Sequence, residues 1–470
     1  MTEYKLIIGG QFVSGEQTMD VINPATGEAF ATAPVASPAQ LDSAVAAAKA
    51  AFPAWSATPF AARAAMIRQL ADRLEAEMDD FACLLTQEQG KPVALAQFEM
   101  YAAIYTLRGF ADMRLEPRIM REDTTGVIME VYKPLGVVAA ITPWNYPVAL
   151  ATNKLAPALL AGNTVVCKPA ATTPLTTLRL GALCNEMLPP GVVNVICDRN
   201  DLGRRLCAHS DIAKIAFTGS TATGRKVLAA ASSSIKRVTL ELGGNDAAIV
   251  LDDMEPAEAA RRLFDGAMHN AGQLCMAVKR AYVAAGLYNS VCVELVKLAE
   301  ATVVGDGALQ DTQMGPVQNQ TQYEKLKALL KQTAAEGRII AGGAPLERAG
   351  YFIPPTIVRD IGDSAALVRD EQFGPILPVL SFETIDDVVK RVNDSELGLT
   401  ATIWTQDFAK GLAIARLIES GTVWVNQHLA IDPALPFRGA KQSGLGTELG
   451  QAGLMEYTQA TLINAVRQKG

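Results

Sequence analysis

The chain has 470 residues, 49% of them hydrophobic and 19% charged, and its formal net charge is -7. This length exceeds what one hydrophobic core supports, so we expect two or three domains. The acidic balance and the lack of any lysine or arginine run argue against nucleic acid or an anionic membrane as partners. Prolines and polar residues interrupt the long apolar runs and the first residues carry no signal pattern, so we expect a cytoplasmic protein without a membrane span.

The cysteines and histidines argue against a disulfide framework and a metal centre. Seven cysteines at irregular spacing indicate free thiols in a reducing compartment. The sequence contains no Cys-x-x-Cys pair and three histidines, so we predict no metal site.

The first third of the chain changes from strands to helices and back. Short apolar runs and turn residues up to about residue 35 predict small strands. Helical spacing follows in four alanine- and leucine-rich segments: 44–52, 61–77, 78–89 and 92–108. Residues 116–134 alternate weakly and favour an exposed hairpin. Because an exposed edge invites pairing, we expect this hairpin to contact another subunit.

The most regular part consists of six short β-branched runs, most of them separated by helical stretches: 136–141, 164–167, 192–196, 212–217, 238–242 and 247–251. Alternation of this kind predicts a parallel sheet covered on both faces. Ligands bind such sheets beyond the carboxyl ends of their strands. We therefore expect the segments that begin at Thr142, Lys168, Thr218 and Gly243 to line one edge.

A second α/β set is predicted from about 255 to 442. Its helices are expected at 256–270, 288–304 and 321–336, and its strands at 281–285, 338–341, 376–380, 401–404 and 422–425. The tail at 459–468 reads as one more strand, which must join a sheet edge.

Three residues are candidates for chemistry, and each has a structural alternative. Cys275 follows a glycine and a polar residue between predicted elements, a setting that suits either a reactive thiol or a structural cysteine. Glu241 interrupts an apolar strand, where a carboxylate is either paired or has the raised pKa that a general base needs. Asn145 lies between two prolines and either donates to an oxyanion or satisfies a turn.

Three further segments are candidates for nucleotide binding. Gly219, Ser220 and Thr223 open a helix after a strand, which suits a phosphate or an ordinary capped helix. Lys168 at a strand end either contacts a nucleotide or is simply solvated, and Glu371 either accepts from a ribose or caps a turn.

Together and in this order, these segments resemble the aldehyde dehydrogenase superfamily over essentially the whole chain. The matching segments are TPWNYP at 142–147, GNTVVCKP at 162–169, FTGS at 217–220, ELGGN at 241–245, GQLC at 272–275, EQFGP at 371–375, VN at 425–426 and a glycine-rich segment at 436–446. The resemblance implies an α/β fold with a Rossmann-like parallel-sheet cofactor domain (1–115 and 135–243), a second α/β catalytic domain (244–442) and a small β oligomerisation element (116–134 and 443–470).

The resemblance also implies oxidation of an aldehyde to a carboxylic acid with NAD(P)+. Cys275 would attack the aldehyde carbon to form a thiohemiacetal, which loses hydride to become a thioester. Asn145 and the Cys275 backbone N–H would hold the oxyanion. Glu241 would activate the water that hydrolyses the thioester, and Lys154 would order the site.

The cofactor and substrate sites follow from the same resemblance. The adenosine and pyrophosphate side would be lined by Ile141, Thr142, Pro143, Trp144, Lys168, Gly219, Ser220 and Thr223, and the nicotinamide half by Leu242, Glu371 and Phe373. The substrate pocket would be lined by Tyr146, Leu150, Asn153, His269, Met276, Gln427, Ile431 and Phe437. Asn153 and His269 replace aromatic residues common in relatives, so we expect a tunnel that is polar on one side and suits hydroxylated or aromatic aldehydes.

The sequence departs from the family pattern at two positions. Ala171 stands where many NAD-preferring relatives carry a glutamate, so no carboxylate there repels a 2′-phosphate and Lys168 remains to attract one. We therefore expect NADP+ to be tolerated beside NAD+. Arg438 stands where relatives usually have glycine. The implied partners are a small-molecule aldehyde and further copies of the chain, in a homodimer or homotetramer.

Three other functions remain open on the sequence. A relative that transfers the acyl group to coenzyme A would not need a base at Glu241. A cysteine hydrolase would have no use for the cofactor edge at Lys168 and Gly219. A non-catalytic protein on this scaffold would tolerate the loss of Cys275.

Overall fold

The computed structural model describes residues 3–468 and has an α/β fold. Residues 1, 2, 469 and 470, which fall within the predicted first domain and oligomerisation element, lie outside the described residues. The strands are β1 (Leu6–Ile8), β2 (Gln11–Val13), β3 (Gln17–Asn23), β4 (Glu28–Val35), β5 (Arg118–Asp123), β6 (Gly126–Pro134), β7 (Val137–Ile141), β8 (Thr164–Lys168), β9 (Val193–Val195), β10 (Ile212–Thr218), β11 (Arg237–Glu241), β12 (Ala247–Val250), β13 (Arg280–Ala284), β14 (Arg338–Ala341), β15 (Thr356–Arg359), β16 (Ile376–Phe382), β17 (Leu397–Gly398), β18 (Thr400–Trp404), β19 (Thr422–Val425), β20 (Ala440–Lys441), β21 (Gly444–Leu445) and β22 (Thr458–Val466).

The helices connect these strands and cover the sheets. They are α1 (Pro38–Ala57), α2 (Phe60–Ala76), α3 (Met78–Gln89), α4 (Val93–Ala111), α5 (Pro147–Ala161), α6 (Leu175–Met187), α7 (Gly203–Ala208), α8 (Thr221–Ala231), α9 (Pro256–Met268), α10 (Ala285–Ala301), α11 (Gln320–Glu336), α12 (Ala366–Arg369), α13 (Ile385–Asn393), α14 (Phe408–Ala415) and α15 (Gly450–Met455). Helix α1 begins six residues before the predicted segment because Ser37 and Gln40 form a capping box ahead of it.

The first sheet has the order β2-β1-β9-β8-β7-β10-β11-β21. The five central strands, β9-β8-β7-β10-β11, run parallel to one another, while β1 and β21 pair antiparallel with β9 and β11. Every residue of β7 and β8 is buried. Helices α1, α5 and α6 pack against it, which is the cover that such apolar strands require. Because the strands are parallel, the segments after Ile141, Lys168, Thr218 and Glu241 meet at one edge, as predicted.

The second sheet has the order β14-β15-β16-β13-β12-β18-β19 and is parallel from β15 to β19. Along β12, Ala247 and Ile249 join one apolar core while Ala248 and Val250 join another, as the two-residue period of a strand requires. The apolar run at 247–251, which we grouped with the five runs before it, therefore belongs to this sheet. Grouping this run with the strands of the first sheet was wrong, because apolar composition does not specify which sheet a strand joins.

A third sheet has the order β22-β6-β5. Strand β22 pairs antiparallel with β6 along its whole length, from Thr458 opposite Pro134 to Val466 opposite Gly126. The hairpin and the tail, which we expected to find a partner in another subunit, thus pair with each other in one chain. The division into domains at the predicted boundaries stays a prediction.

Several elements of the second half were missed from the sequence. Strand β15 follows two prolines and has four residues, too few to show a period. Helices α12 to α15 are likewise short. The predicted helix 256–270 ends at Met268, after which a 3-10 turn formed by His269–Gly272 leads to Cys275.

Candidate active site

The loop that carries Cys275 has an unusual backbone. Asn270 and Ala271 have φ of 52° and 54°, and Gly272 has φ of 69°. A side chain at Gly272 would overlap the carbonyl of Gly374, so this position requires glycine. Positive φ in an alanine persists only where surrounding contacts impose it. The sequence therefore folds here into a turn that the rest of the molecule holds in place.

Two buried polar side chains hold this loop. The Nζ of Lys279 donates to the carbonyls of Leu274 and Cys275 at 3.0 and 2.5 Å. The Nε2 of Gln273 donates to the carbonyl of Asn270 at 3.0 Å, and its Oε1 accepts from the N–H of Gln318 at 2.8 Å. Cys275 is thus presented on a fixed backbone. Lys279 was missed from the sequence because its role is to bind carbonyls, which no motif records.

The thiol of Cys275 lies at the surface of a small apolar cluster with Tyr146, Leu150 and Met276. Burial raises the pKa of this thiol to about 12, although the charge of Lys279 lowers it. The thiol is therefore protonated at neutral pH, and it would have to lose this proton to act as a nucleophile.

The carboxyl group of Glu241 is buried at the end of β11. Among the described residues, neither of its oxygens has a hydrogen-bond partner. Burial and the neighbouring Glu448 carboxylate raise its pKa well above the ordinary value, while Lys154 lowers it. Its charge also raises the pKa of Cys275, which places the two groups in one electrostatic environment. A buried carboxyl group without partners is costly, and perturbed groups of this kind cluster at functional sites.

Lys154 lies next to this carboxyl group, in the middle of α5. Its Nζ forms an ion pair with Glu448 and donates to Thr218 Oγ1 at 2.6 Å. All three side chains are buried. The sequence pointed to Lys154 but missed Glu448, which is separated from Lys154 by 294 positions and follows the glycine-rich segment.

Asn145 lies against the Cys275 loop. Its side-chain Nδ2 donates to the carbonyl of Gln273 at 3.1 Å. Its own backbone carbonyl accepts from Lys91 Nζ at 2.8 Å and from Asn270 Nδ2 at 3.3 Å. Because an amide carries two N–H donors, one remains beside the loop for a developing oxyanion.

Of the predicted cofactor residues, Glu371 lines a cleft of about 680 Å³, together with Thr221 and Ala222 of α8 and Asn245. Trp144, after β7, lies edge-to-face with Phe373 of the second half at 5.3 Å. Glu371 accepts from the N–H of Gly244 at 3.1 Å, and burial raises its pKa. Of the other predicted residues, Ile141, Thr142 and Leu242 are buried, and Pro143 is partly buried.

The first turn of α8 is exposed at the same edge. The N–H of Gly219 donates to the carbonyl of Glu241 at 3.0 Å, and Ser220 Oγ accepts from the N–H of Thr223 at 3.3 Å. Ser220 thus caps the helix, and its exposed first turn still offers N–H groups to an anion. The helix end, the aromatic pair and the carboxylate form a donor and acceptor set that fits a dinucleotide.

Lys168 is buried and paired, unlike the free cation that the sequence suggested. Its Nζ lies 2.5 Å from Oδ1 of Asp198, and the other oxygen of this carboxylate accepts from the N–H of Leu202 at 2.8 Å. Both charged side chains are almost inaccessible. The assumption that Lys168 is free to attract a 2′-phosphate was wrong because Asp198 neutralises it. Asp198 has no motif around it that could have indicated this contact.

Three rings lie close together among the predicted substrate-pocket residues and their neighbours. The ring of Tyr146 is parallel to that of His269 at 6.3 Å, and Phe98 approaches His269 edge-on at 6.0 Å. Burial and the charge of Lys91 lower the pKa of His269 to about 4, so the imidazole is neutral at physiological pH. Phe98 was missed.

The remaining predicted pocket residues are less close to the thiol. Asn153 accepts from Thr106 Oγ1 at 3.2 Å, which ties it to α4. Gln427 and Ile431 are exposed, and it is Leu429 of the same loop that reaches the Cys275 cluster. Phe437 packs against the core of the first sheet. Arg438 is exposed, and nothing in the structure explains it.

These features define an α/β protein with a half-buried thiol on a fixed loop and a buried carboxyl group that has no partner among the described residues, and comparison with known proteins gives the family. The model of the aldehyde dehydrogenase family matches residues 12–463. Retinaldehyde dehydrogenase 3 of Homo sapiens is 39% identical over 451 residues, which cover 94% of this chain and 88% of that protein. Aldehyde dehydrogenase LUC3 of a Fusarium species is 38% identical over 465 residues, or 98% of each chain.

A solved structure agrees with these relatives. The NAD+ complex of an aldehyde dehydrogenase from Bacillus cereus has a TM-score of 0.97 and 36% identity, and the match covers 99% of this chain and 97% of the other. The chain belongs to the aldehyde dehydrogenase family, and it is an enzyme that oxidises an aldehyde with NAD(P)+. None of the helices within residues 3–468 has the length and apolar character needed to cross a lipid bilayer.

Proposed function

We propose that this enzyme oxidises its aldehyde through a thioester on Cys275, which a water molecule activated by Glu241 then hydrolyses. The observation that carries this proposal is the buried carboxyl group of Glu241. It has no hydrogen-bond partner among the described residues, and its charge acts on the thiol of Cys275. A buried glutamate with a purely structural role would have a hydrogen-bond or ion-pair partner for its carboxyl group.

Acylation begins with loss of the Cys275 thiol proton to water, which leaves Glu241 free to act in the second half of the reaction. The sulfur then bonds to the aldehyde carbon, and the carbonyl oxygen becomes an oxyanion. The free N–H of the Asn145 amide and the backbone N–H of Cys275 stabilise this charge in a site with little water. Trp144 and Phe373 would hold the nicotinamide half of NAD(P)+, and the cofactor would supply the acceptor for the hydride that leaves the thiohemiacetal carbon.

Deacylation needs a base, which is why an unpaired carboxyl group is useful here. Glu241 removes a proton from water and the hydroxide oxygen bonds to the thioester carbonyl carbon. The carbon–sulfur bond then breaks, and Glu241 returns its proton to the sulfur. The products are the carboxylic acid and the Cys275 thiol. Burial raises the pKa of Glu241 most, the carboxylate of Glu448 raises it further and the positive charge of Lys154 lowers it, so the ion pair adjusts a proton affinity that burial dominates.

We infer that the substrate is a hydroxylated or aromatic aldehyde, and the stacked wall of Tyr146 and His269 favours an aromatic one. A panel of aldehydes that differ in ring size and hydroxylation, compared by kcat/KM for cofactor reduction, tests this preference. Short aliphatic aldehydes that are oxidised as efficiently as aromatic ones would contradict it. A requirement for coenzyme A in turnover would contradict the hydrolytic step itself.

We further propose that NADP+ is accepted beside NAD+, because Ala171 places no carboxylate against a 2′-phosphate. A preference for NAD+ above roughly a thousandfold in kcat/KM, about 4 kcal/mol, would contradict this. Replacing Asp198 by asparagine frees the charge of Lys168, and we expect the ratio of kcat/KM for NADP+ to that for NAD+ to rise about tenfold.

The matched control is Asp201→Asn, which removes the same charge from an exposed position three residues further along. It should leave the cofactor ratio unchanged. An unchanged ratio in Asp198→Asn, or an equal rise in both variants, would show that the pair with Lys168 does not set the preference.

We propose that the chain forms a homodimer or homotetramer through the third sheet. Its outer strands expose apolar side chains, among them Ile119, Met120 and Leu462, each at least half accessible. Exposed apolar strands of this kind mark interaction surfaces. The molar mass in solution by light scattering decides between the two states, and a monomer would contradict the proposal.

A further inference from the structure

The ion pair of Lys91 and Glu99 lies beneath the active site and has no role in the steps described so far. Lys91 follows α3, and Glu99 is in the second turn of α4. The Nζ of Lys91 lies 2.5 Å from Oε2 of Glu99, and both side chains are completely inaccessible. Removing two charges from water is costly, and such a pair is weak evidence for stability by itself. Its contacts indicate another role.

Lys91 contacts two residues that face the thiol. Its Nζ donates to the backbone carbonyl of Asn145 at 2.8 Å. The same ammonium lies 3.6 Å from the centre of the Tyr146 ring, within the distance of a cation–π contact. One buried cation thus holds both the residue that carries the oxyanion donor and the ring that forms the wall of the pocket.

Glu99 holds the helix that follows these two residues. Its Oε1 accepts from the N–H of Val148 at 2.9 Å and from that of Ala149 at 3.2 Å. These N–H groups belong to the first turn of α5, where Tyr146 at the N-cap position makes no side-chain hydrogen bond. A carboxylate from α4 therefore supplies the cap that α5 lacks in its own sequence, and its charge suits the positive end of the helix.

We propose that Lys91 and Glu99 form a positioning pair that fixes Asn145 and Tyr146 against Cys275. The pair touches neither substrate nor cofactor and acts through these two residues. The proposal rests on the proposed function, because the position of Asn145 matters only if an oxyanion forms at Cys275.

The test is the double variant Lys91→Met/Glu99→Gln. Glutamine still accepts from the two N–H groups of α5, and methionine fills the volume of the lysine stem, so the charges are lost together and no buried charge is left unpaired. We expect the rate of the first NADH burst with an aldehyde to fall 10- to 100-fold, while the dissociation constant for NAD+ stays within twofold. In a crystal structure of the variant, the Asn145 amide should leave its 3.1 Å contact with the Gln273 carbonyl.

The control for a merely structural effect is Arg63→Met. Arg63 is also buried and binds the far end of α5, donating to the carbonyl of Leu160 at 3.0 Å. It should lower Tm without slowing the burst. An unchanged burst rate in the double variant, an unmoved Asn145, or an equal slowing in Arg63→Met would overturn the proposal.

A second variant, Glu99→Asp, keeps both charges but withdraws the carboxylate from α5 by one methylene, and it is available if the double variant does not fold. We expect the burst to slow 3- to 10-fold, and an unchanged burst would overturn the proposal. Measurements on the unaltered enzyme distinguish a failure of the proposed function from a failure of the positioning role of Lys91 and Glu99. If it shows no aldehyde-dependent burst, the proposed function fails, whereas the displacement of Asn145 in the crystal structure still tests the positioning.

Discussion

Replacing Cys275 by alanine is expected to lower the rate of aldehyde oxidation by roughly four orders of magnitude or more, because no other group can form the covalent intermediate. The dissociation constant for NAD+ should stay within about twofold, since the predicted cofactor residues lie on other segments of the chain than the Cys275 loop. Steady-state assays of cofactor reduction and a binding titration measure the two quantities.

The control is Cys83→Ala on α3, which removes an exposed cysteine far along the chain from the Cys275 loop. Its activity should equal that of the unaltered enzyme. Substantial oxidation by Cys275→Ala would exclude the thioester, and loss of NAD+ binding in the same variant would show that the loop had collapsed.

Replacing Glu241 by glutamine is expected to separate the two halves of the reaction. Glutamine has nearly the same shape but cannot take a proton from water, so the thioester should form and then persist. We expect a burst of NADH approaching one equivalent per active site, followed by turnover lowered about 10²- to 10⁴-fold. Rapid mixing measures the burst, and mass spectrometry of the quenched protein detects the acyl group on Cys275.

The matched control is Glu88→Gln, which changes another fully buried glutamate, one that accepts from the first turn of α6. It should turn over as the unaltered enzyme does. Normal turnover by Glu241→Gln would show that another group is the base. A slow burst in this variant would instead indicate that acylation also depends on Glu241 as the acceptor of the thiol proton.

Local patterns in the sequence were sufficient to predict the parts of the site that lie at the ends of regular strands. The apolar runs before Thr142, Lys168 and Thr218 are short and β-branched, and parallel strands always bring such carboxyl ends to one edge. Glu241 was singled out because it interrupts an apolar strand, and Cys275 because it follows a glycine and a polar residue between two elements; their catalytic roles stay predictions. The family, named from these motifs in order, is confirmed.

The residues that were missed act across long separations. Glu448 and Asp198 are buried acids whose partners lie far away in sequence, and no local period distinguishes them from surface acids. Lys91 and Glu99 lie only eight positions apart, but their effect on Asn145 depends on how α4 packs against α5. Such contacts are set by tertiary packing, so they became visible only in the folded chain.

The short strand β21 has a consequence for how the molecule unfolds. The chain leaves the first sheet after Glu241, forms the second sheet, and returns at Gly444 to pair antiparallel with β11, the strand that ends in Glu241. The first sheet therefore lacks its outer strand until the second is in place, and the two halves are expected to melt in one cooperative transition. Two well-separated peaks in a calorimetric scan would contradict this. A single peak would mean that Glu241 leaves its position only when the whole chain unfolds.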